Sequence, residues 1–155
     1  MLMSGWLGAL GISASGLSAQ RLEMDVIANN IANVNTTRTA SGGPYRREMV
    51  VLQPGGNSTS PFQNALLQAS GTVTPAGIGQ NAGVQVAGIV QDPSPFKLVY
   101  DPTNPDAVNG YVQMPNVNIS TEMTDMMSAS RAYEANVTAF DAGKQLIIDA
   151  LGLGK

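Results

Sequence analysis

Carboxylates are the groups in this chain with most capacity for chemistry, because the sequence contains neither histidine nor cysteine. That absence removes the Ser-His and Cys-His nucleophile systems and most zinc sites. Asp101, Asn104 and Asp106 form an oxygen-rich group of the kind that binds calcium, but their spacing does not fit an EF-hand loop. We favour a turn here, in which these side chains bond their own backbone.

A second pair of carboxylates, Glu122 and Asp125, lies one turn apart on a predicted helix. Such pairs can carry out acid–base chemistry, but near the start of a helix they more often interact with the positive end of its dipole. The glycines at 42–43 and 77–79 lack the spacing and the lysine of a phosphate-binding loop. We therefore expect no catalytic residue, no bound metal and no cofactor.

Two helical patterns, one near each end, are the strongest features of the sequence. Positions at alternating spacings of four and three predict a seam, meaning a helix face that packs against another helix. The first seam comprises Leu10, Ala14, Leu17, Arg21, Met24, Ala28 and Ile31. The last seam comprises Ile119, Met123, Met126, Ser130, Tyr133, Val137, Phe140, Lys144, Ile147 and Leu151. Seams at both ends favour a protein that assembles over one that reacts.

These patterns predict a first helix over about 5–34 and a last helix from Ser120, its expected N-cap, to about Leu151. Each glycine in the first half of the first helix costs about 0.5–1 kcal/mol relative to alanine. That half therefore needs a partner in order to become ordered. The two helices are similar in length, so they can pair in antiparallel orientation.

Between the helices the sequence predicts a small β-rich region. Strand patterns occupy 45–52, 83–90 and 96–100, with a further extended segment at 110–115. Small and polar residues dominate 53–83, which we expect to be flexible apart from a short apolar patch. The patch consists of Phe62, Ala65, Leu66 and Leu67.

The predicted fold class is therefore α+β, with long N- and C-terminal helices forming an antiparallel coiled-coil-like pair and a small β-rich middle region. The chain divides into an N-terminal helical core segment (1–36), a middle domain (37–115) and a C-terminal helical core segment (116–155).

Composition narrows the range of partners. Charged residues make up 12% of the chain, against a usual share of about 25%. A surface so poor in charge is typical of a protein covered by neighbours. The net charge is −3 and Arg46-Arg47 is the only adjacent basic pair, which argues against nucleic acid.

Residues 2–19 lack the basic start of a signal peptide and are too short and glycine-rich to span a membrane.

Several motifs resemble those of one protein family. Ser15–Gln20 (SGLSAQ) and Ala28–Thr36 (ANNIANVNT) are similar to the N-terminal signature shared by flagellar rod, hook and hook-associated proteins. Asn116–Asn118, Glu122-Met123 and Ala129–Val137 (ASRAYEANV) resemble the C-terminal signature of the same axial proteins.

The middle of the chain narrows the resemblance to the proximal-rod members of the family. The segments that carry this narrower resemblance are Gly42–Arg47 (GGPYRR) and Asp92–Pro102 (DPSPFKLVYDP), and the chain is as short as those members. The stretch 54–79 matches no part of that pattern.

The resemblance implies a structural subunit of the flagellar basal-body rod, which carries motor torque across the periplasm to the hook. It implies export through the flagellar type III apparatus without a cleaved signal peptide. The implied partners are other rod proteins and copies of the same chain, with no nucleic acid and no direct membrane insertion. The terminal helices would pack into a tubular core and become ordered on assembly.

We expect the interface residues to lie on both terminal helices, with asparagines bridging polar groups between helices. The expected residues are Leu10, Leu17, Met24, Ile27, Asn29, Asn30, Ile31, Asn33, Met123, Met126, Arg131, Tyr133, Asn136, Val137, Phe140, Ile147 and Leu151.

Three alternatives stay open on the sequence alone. A soluble helical-hairpin binding module, with a ligand in the middle region, predicts a compact and protease-resistant monomer. An enzyme that uses Asp101 or Asp106 predicts a loss of activity on Asp→Asn substitution. Another tubular export assembly would share the helix packing but not these motifs.

Overall fold

The computed structural model describes residues 2–55 and 83–152, with side chains described over 8–55 and 83–150. Two long helices enclose four strands in the order α1 (Leu2–Ala32), β1 (Glu48–Pro54), β2 (Val84–Gln91), β3 (Lys97–Tyr100), β4 (Tyr111–Met114) and α2 (Ile119–Gly152). The strands form two separate antiparallel pairs, β1 with β2 and β3 with β4. The α+β prediction, with long terminal helices around a small β region, is confirmed.

The two helices pack against each other in antiparallel orientation, and glycines allow their close approach. A Cβ added at Gly143 on α2 would lie 3.1 Å from Leu10 Cδ2 on α1. A Cβ added at Gly16 on α1 would lie 2.9 Å from Asn136 Nδ2 on α2. Between these two contacts the position on α1 moves six residues forward, from Leu10 to Gly16. The position on α2 moves seven residues back, from Gly143 to Asn136. The helices therefore keep one register, and Gly16 is needed for its small size.

The buried face of α1 is rotated relative to the predicted seam. Three of the seven predicted positions, Ala14, Arg21 and Ala28, are exposed. The residues that α1 buries most completely are Ala19 (2% exposed), Val26 (4%), Ile27 (6%) and Asn30 (1%). The rotation arises because α1 has two neighbours, α2 and the β1–β2 pair, so the covered face lies between them.

The β1–β2 pair lies lengthwise along α1. At one end, the backbone N–H of Glu48 donates to Asn30 Oδ1 (2.9 Å). At the other end, Pro54 pairs with Val84, whose N–H donates to Ser15 Oγ (3.0 Å). Ser15 and Asn30 are about 22 Å apart along a helix, and Glu48–Pro54 spans about 20 Å as a strand. The two lengths match, so the hairpin is fastened to α1 near both of its ends.

The observed strands lie within a few residues of the predicted ones, with one difference at the end of β1. Gln53 and Pro54 belong to β1, where Gln53 pairs with Gln85, so the predicted flexible stretch began too early. Residues 56–82 of that stretch, including the apolar patch at 62–67, lie outside the described residues. In the part of the chain that is described, no helix is long and apolar enough to cross a membrane.

The expected N-cap of α2, Ser120, is wrong by two residues. Asn118 Oδ1 accepts a hydrogen bond from the backbone N–H of Ser120 (3.0 Å). The backbone oxygen of Asn118 accepts the first helical hydrogen bond, from the N–H of Glu122 (2.9 Å). Asn118 is therefore the N-cap, and Ser120 already lies within the first turn.

Candidate assembly interface

Asn30, near the end of α1, is 1% exposed and uses all the hydrogen-bonding capacity of its amide. Its Nδ2 donates to the backbone oxygen of Glu48 (2.8 Å) and to Glu122 Oε2 (3.0 Å). Its Oδ1 accepts from the N–H of Glu48 (2.9 Å) and from the Tyr45 hydroxyl (3.0 Å). Because the low-dielectric interior penalises any unpaired polar group, this full set of partners fixes α1, β1 and α2 relative to one another.

Glu122, in the first turn of α2, is completely buried. Its Oε1 accepts a short hydrogen bond from Arg47 Nε, and its Oε2 accepts the bond from Asn30. A buried carboxylate without such partners would cost several kcal/mol. We call the group Asn30, Tyr45, Arg47 and Glu122 the polar junction.

The polar junction decides the role of Glu122. With both of its oxygens occupied and no exposed surface, this carboxylate holds elements together and is not available for acid–base chemistry. The alternative interpretation as a dipole partner explains its position in the first turn of α2 but not its ion pair with Arg47.

Negative charge is concentrated around the Arg47 guanidinium. Its Nη2 donates to Asp125 Oδ2 (3.1 Å), and its Nη1 lies 4.0 Å from Asp92 Oδ2. Glu23, on α1, also faces this region: partial burial and then the charge of Asp125 raise the pKa of the Glu23 carboxyl. The helices therefore meet at a site where carboxylates outnumber their cationic partner.

A second set of hydrogen bonds joins the polar junction to the loop after β2. Asn116 Oδ1 accepts from the backbone N–H of Arg47 (2.8 Å), and Asn116 Nδ2 donates to the oxygen of Asp92 (3.3 Å). Arg46 Nη1 donates to the same oxygen (2.8 Å), and its guanidinium lies 4.4 Å from the centre of the Phe96 ring. This stacked, hydrogen-bonded arginine fixes the path of the chain from β2 towards β3.

The expected interface residues on α1 and directly after it fall into four groups. Ile27 and Asn30 are buried within the protein, and Asn29 is exposed. Asn33 donates to the backbone oxygen of Asn29 (3.0 Å) and accepts from the Thr36 hydroxyl (3.2 Å), which is a local helix-end role. The remaining four are half-buried: Leu10, Leu17, Met24 and Ile31.

On α2, the expected residues divide into an inner and an outer set. The half-buried inner set is Met126, Tyr133, Asn136, Phe140 and Ile147. The exposed outer set is Met123, Arg131 and Val137. Leu151 lies in α2, but its side chain is outside the described part. The structure thus brings the inner set towards α1 and leaves the outer set available to other molecules.

Sequence reasoning missed most of the polar junction. Its members Tyr45, Arg47 and Glu122, and the adjoining Asn116, were not among the expected interface residues, although each lies in a motif that carries the family resemblance. The signal that was available is the Arg46-Arg47 pair in a chain of low charge. The pair contributes to the family resemblance and argues against nucleic acid, but neither use predicts the ion pair of Arg47 with Glu122.

The group formed by Asp101, Asn104 and Asp106 has the geometry of a turn. Asp101 Oδ1 accepts from the N–H of Thr103 (3.2 Å), and Asn104 Oδ1 accepts from the N–H of Asp106 (3.0 Å). These are the side-chain-to-backbone bonds that the turn interpretation predicts. Asp106 also accepts from the hydroxyl of Thr37 (2.9 Å), which attaches the β3–β4 hairpin to the segment after α1.

Comparison with known families first identifies the class of protein to which the chain belongs. The family profile described as "Flagella basal body rod protein" matches residues 10–38, and the profile described as "Flagellar basal body rod FlgEFG protein C-terminal" matches residues 108–153. These two regions contain most of α1, β4 and α2. The paired terminal helices are therefore those of a flagellar axial protein.

Full-length relatives then identify the particular family. The FlgC flagellar basal-body rod protein of Bacillus subtilis is 47% identical, over 95% of this chain and 97% of the relative. That of Borreliella burgdorferi is 46% identical (96% and 97%), and that of Salmonella typhimurium is 38% identical (96% and 98%). This chain belongs to the FlgC family of flagellar basal-body rod proteins.

Proposed function

We propose that this chain builds the proximal part of the rod by packing its two terminal helices into an axial tube, which transmits motor torque to the hook. The observation that carries this proposal is the uncovered surface of α2. Through the described residues α2 packs against α1, while Met123 (53% exposed), Met127 (54%) and Ile148 (50%) face solvent.

The exposed apolar residues of α2 favour assembly on energetic grounds. Burying a side chain of this size contributes about 1.5–3 kcal/mol. Contiguous apolar surface on a soluble protein commonly marks a site of protein–protein contact. Val137 (36% exposed) continues this surface between Met127 and Ile148.

The polar junction supports the same function in a different way. A subunit that transmits torque needs a fixed angle between its helices and its outer β region. Buried polar groups specify one arrangement when every member is satisfied. Arg47 and Asn30 provide such a connection between the β1 strand and both helices.

The proposed partners are other rod proteins and further copies of this chain, after export through the flagellar type III apparatus without cleavage of a signal peptide. The function requires no cofactor, metal or catalytic residue. The rod places the protein in the basal body, across the periplasm.

Co-purification with the basal body tests this function. A tagged copy is expressed in cells that lack the native gene, and hook–basal bodies are extracted with detergent. We expect the tagged protein in the purified structures, and we expect cells without it to stop before the distal rod. A soluble tagged protein, together with normal swimming of the deletion strain, would contradict the proposal and favour the binding-module alternative.

A further inference from the structure

We infer that an outer face of α2 packs in antiparallel orientation on an outer face of α1 in a second copy of this chain. The inference rests on the proposed rod function and adds the surfaces, the register and the partner. It is argued from exposure, residue size and charge order on the two helices.

The outer face of α1 is a regular seam of positions that are exposed in the single chain. Its spacings alternate between four and three, as required for continuous packing along a helix. The face is mostly small, with one positive and one negative charge at its centre. It comprises Ala14, Ser18, Arg21, Asp25, Ala28 and Ala32, all exposed.

The outer face of α2 has the same kind of spacing but larger side chains. Two methionines lie at its N-terminal end, one positive and one negative residue follow at its centre, and a second negative residue, Asp141, lies at its C-terminal end. It comprises Met123, Met127, Arg131, Glu134, Thr138 and Asp141, all exposed. The ion pairs within the described residues involve none of the four central charges, Arg21, Asp25, Arg131 and Glu134.

Charge order selects the antiparallel orientation. Along each helix the positive residue precedes the negative one: Arg21 before Asp25 on α1, and Arg131 before Glu134 on α2. A parallel arrangement would oppose like charges, whereas an antiparallel one places Arg21 opposite Glu134 and Asp25 opposite Arg131. Such complementarity sets the register and excludes wrong alignments.

The same register matches large residues with small ones. With the charges paired, Met127 lies opposite Ala28 and Met123 opposite Ala32. A flexible thioether side chain fills the space that an alanine leaves on a facing helix. The register is displaced by about one helical turn from that of the internal pair, in which Asn30 faces Glu122.

The contact is heterologous, since the α1 surface of one copy meets the α2 surface of the next. A contact of this type continues from subunit to subunit around a ring or along a helical array. Each α2 would then lie between its own α1 and the α1 of a neighbour. This arrangement covers both Met123 and Met127, which the single chain leaves more than half exposed.

Disulfide crosslinking tests the contact directly, because the chain has no cysteine of its own. Ala28→Cys and Met127→Cys copies are expressed together in cells lacking the native gene. Basal bodies are then purified and oxidised. Each copy carries a single cysteine, so a dimer band on a non-reducing gel reports a link between copies. The matched control replaces Met127→Cys by Ser128→Cys, an exposed position on the same turn.

We expect a crosslinked dimer with Met127→Cys and at least tenfold less with Ser128→Cys. Equal yields from both pairs, or no dimer in assembled rods, would overturn the inference while leaving the rod function intact. If the tagged protein is absent from the basal bodies, both the inference and the rod function fail.

Charge reversal gives a second, independent measurement. Either Arg21→Glu or Glu134→Arg alone opposes like charges, so we expect about tenfold or greater loss of completed basal bodies per cell. The double variant restores the pair and should recover assembly. Single variants that assemble normally, or a double variant no better than either single one, would contradict the proposed register.

Discussion

Asn30 on α1 donates a 3.0 Å hydrogen bond to the buried carboxylate of Glu122 on α2, across 92 residues of sequence. The same side-chain amide pairs with the backbone of Glu48 as a neighbouring strand would. Its Oδ1 accepts from the N–H of Glu48, and its Nδ2 donates to the backbone oxygen of Glu48. One side chain therefore joins the two ends of the chain to the first strand.

Replacing Asn30 should destabilise the isolated subunit and not only its assembly. Asn30→Ala removes the partner of Glu122 Oε2, of the Glu48 backbone and of the Tyr45 hydroxyl at a mostly buried site. We expect the free energy of unfolding to fall by about 3 kcal/mol, measured by urea denaturation. The exposed neighbour gives the matched control, because Asn29→Ala should change stability by less than about 0.5 kcal/mol. Equal effects of the two substitutions would show that the network contributes nothing.

The Arg47–Glu122 ion pair should give a large coupling energy in a double-mutant cycle. Arg47→Met alone leaves the fully buried Glu122 carboxylate without its cation and should cost about 3–5 kcal/mol. Glu122→Leu alone should cost less, because Arg47 keeps Asp125 and Asp92 as acidic partners. The double variant should cost clearly less than the two single effects added together. Arg38 provides a surface control: its side chain is 79% exposed and 3.7 Å from Asp106, so Arg38→Met should cost under about 1 kcal/mol. Additive single effects would exclude the coupling.

Two glycines of α1 should respond in opposite ways to the same substitution. Gly11 has no atom within 4 Å of an added Cβ, whereas a Cβ at Gly16 would lie 2.9 Å from Asn136 Nδ2. Gly11→Leu should therefore stabilise the helix by about 0.5–1 kcal/mol. Gly16→Leu gains the same helix propensity but forces the helices apart, and we expect a net loss of about 1–3 kcal/mol. Thermal melting of both variants measures the difference, and a gain at both positions would contradict close packing at Gly16.

The Glu23 carboxyl should make stability depend on pH. Burial and the nearby Asp125 raise the pKa of Glu23 above its ordinary value of 4.5, so the folded state binds its proton more tightly than the unfolded state. Its favourable contribution is present below pH 4.5 and is lost as the pH rises through the folded pKa. Glu23→Gln should therefore gain stability relative to the natural sequence as the pH increases across this range. Urea denaturation between pH 4 and pH 8 measures the gain, with Glu134→Gln as the exposed control. A gain that does not vary with pH would contradict the raised pKa.

Much of the fold could be predicted from the sequence, since helices and strands leave periodic patterns in neighbouring residues. The seams of α1 and α2 and the alternation in β2 are local patterns of this kind. Ile27 and Asn30, expected at an interface, are buried within the single chain, and their role in contacts between subunits stays a prediction. The N-cap was missed because Asn118 and Ser120 are both good caps, and only the hydrogen bond to the N–H of Ser120 distinguishes them.

The sequence by itself determined the pair of long helices, the small β region between them, and the family resemblance in the motifs at both ends. Only the tertiary structure decided which face of α1 is buried, because that face depends on the β1–β2 pair lying along the helix from Ser15 to Asn30. It also decided that Glu122 is a buried ionic anchor. A carboxylate in the first turn of a helix has the same local pattern whether water or Arg47 surrounds it, and the difference arises from contacts between residues far apart in the chain.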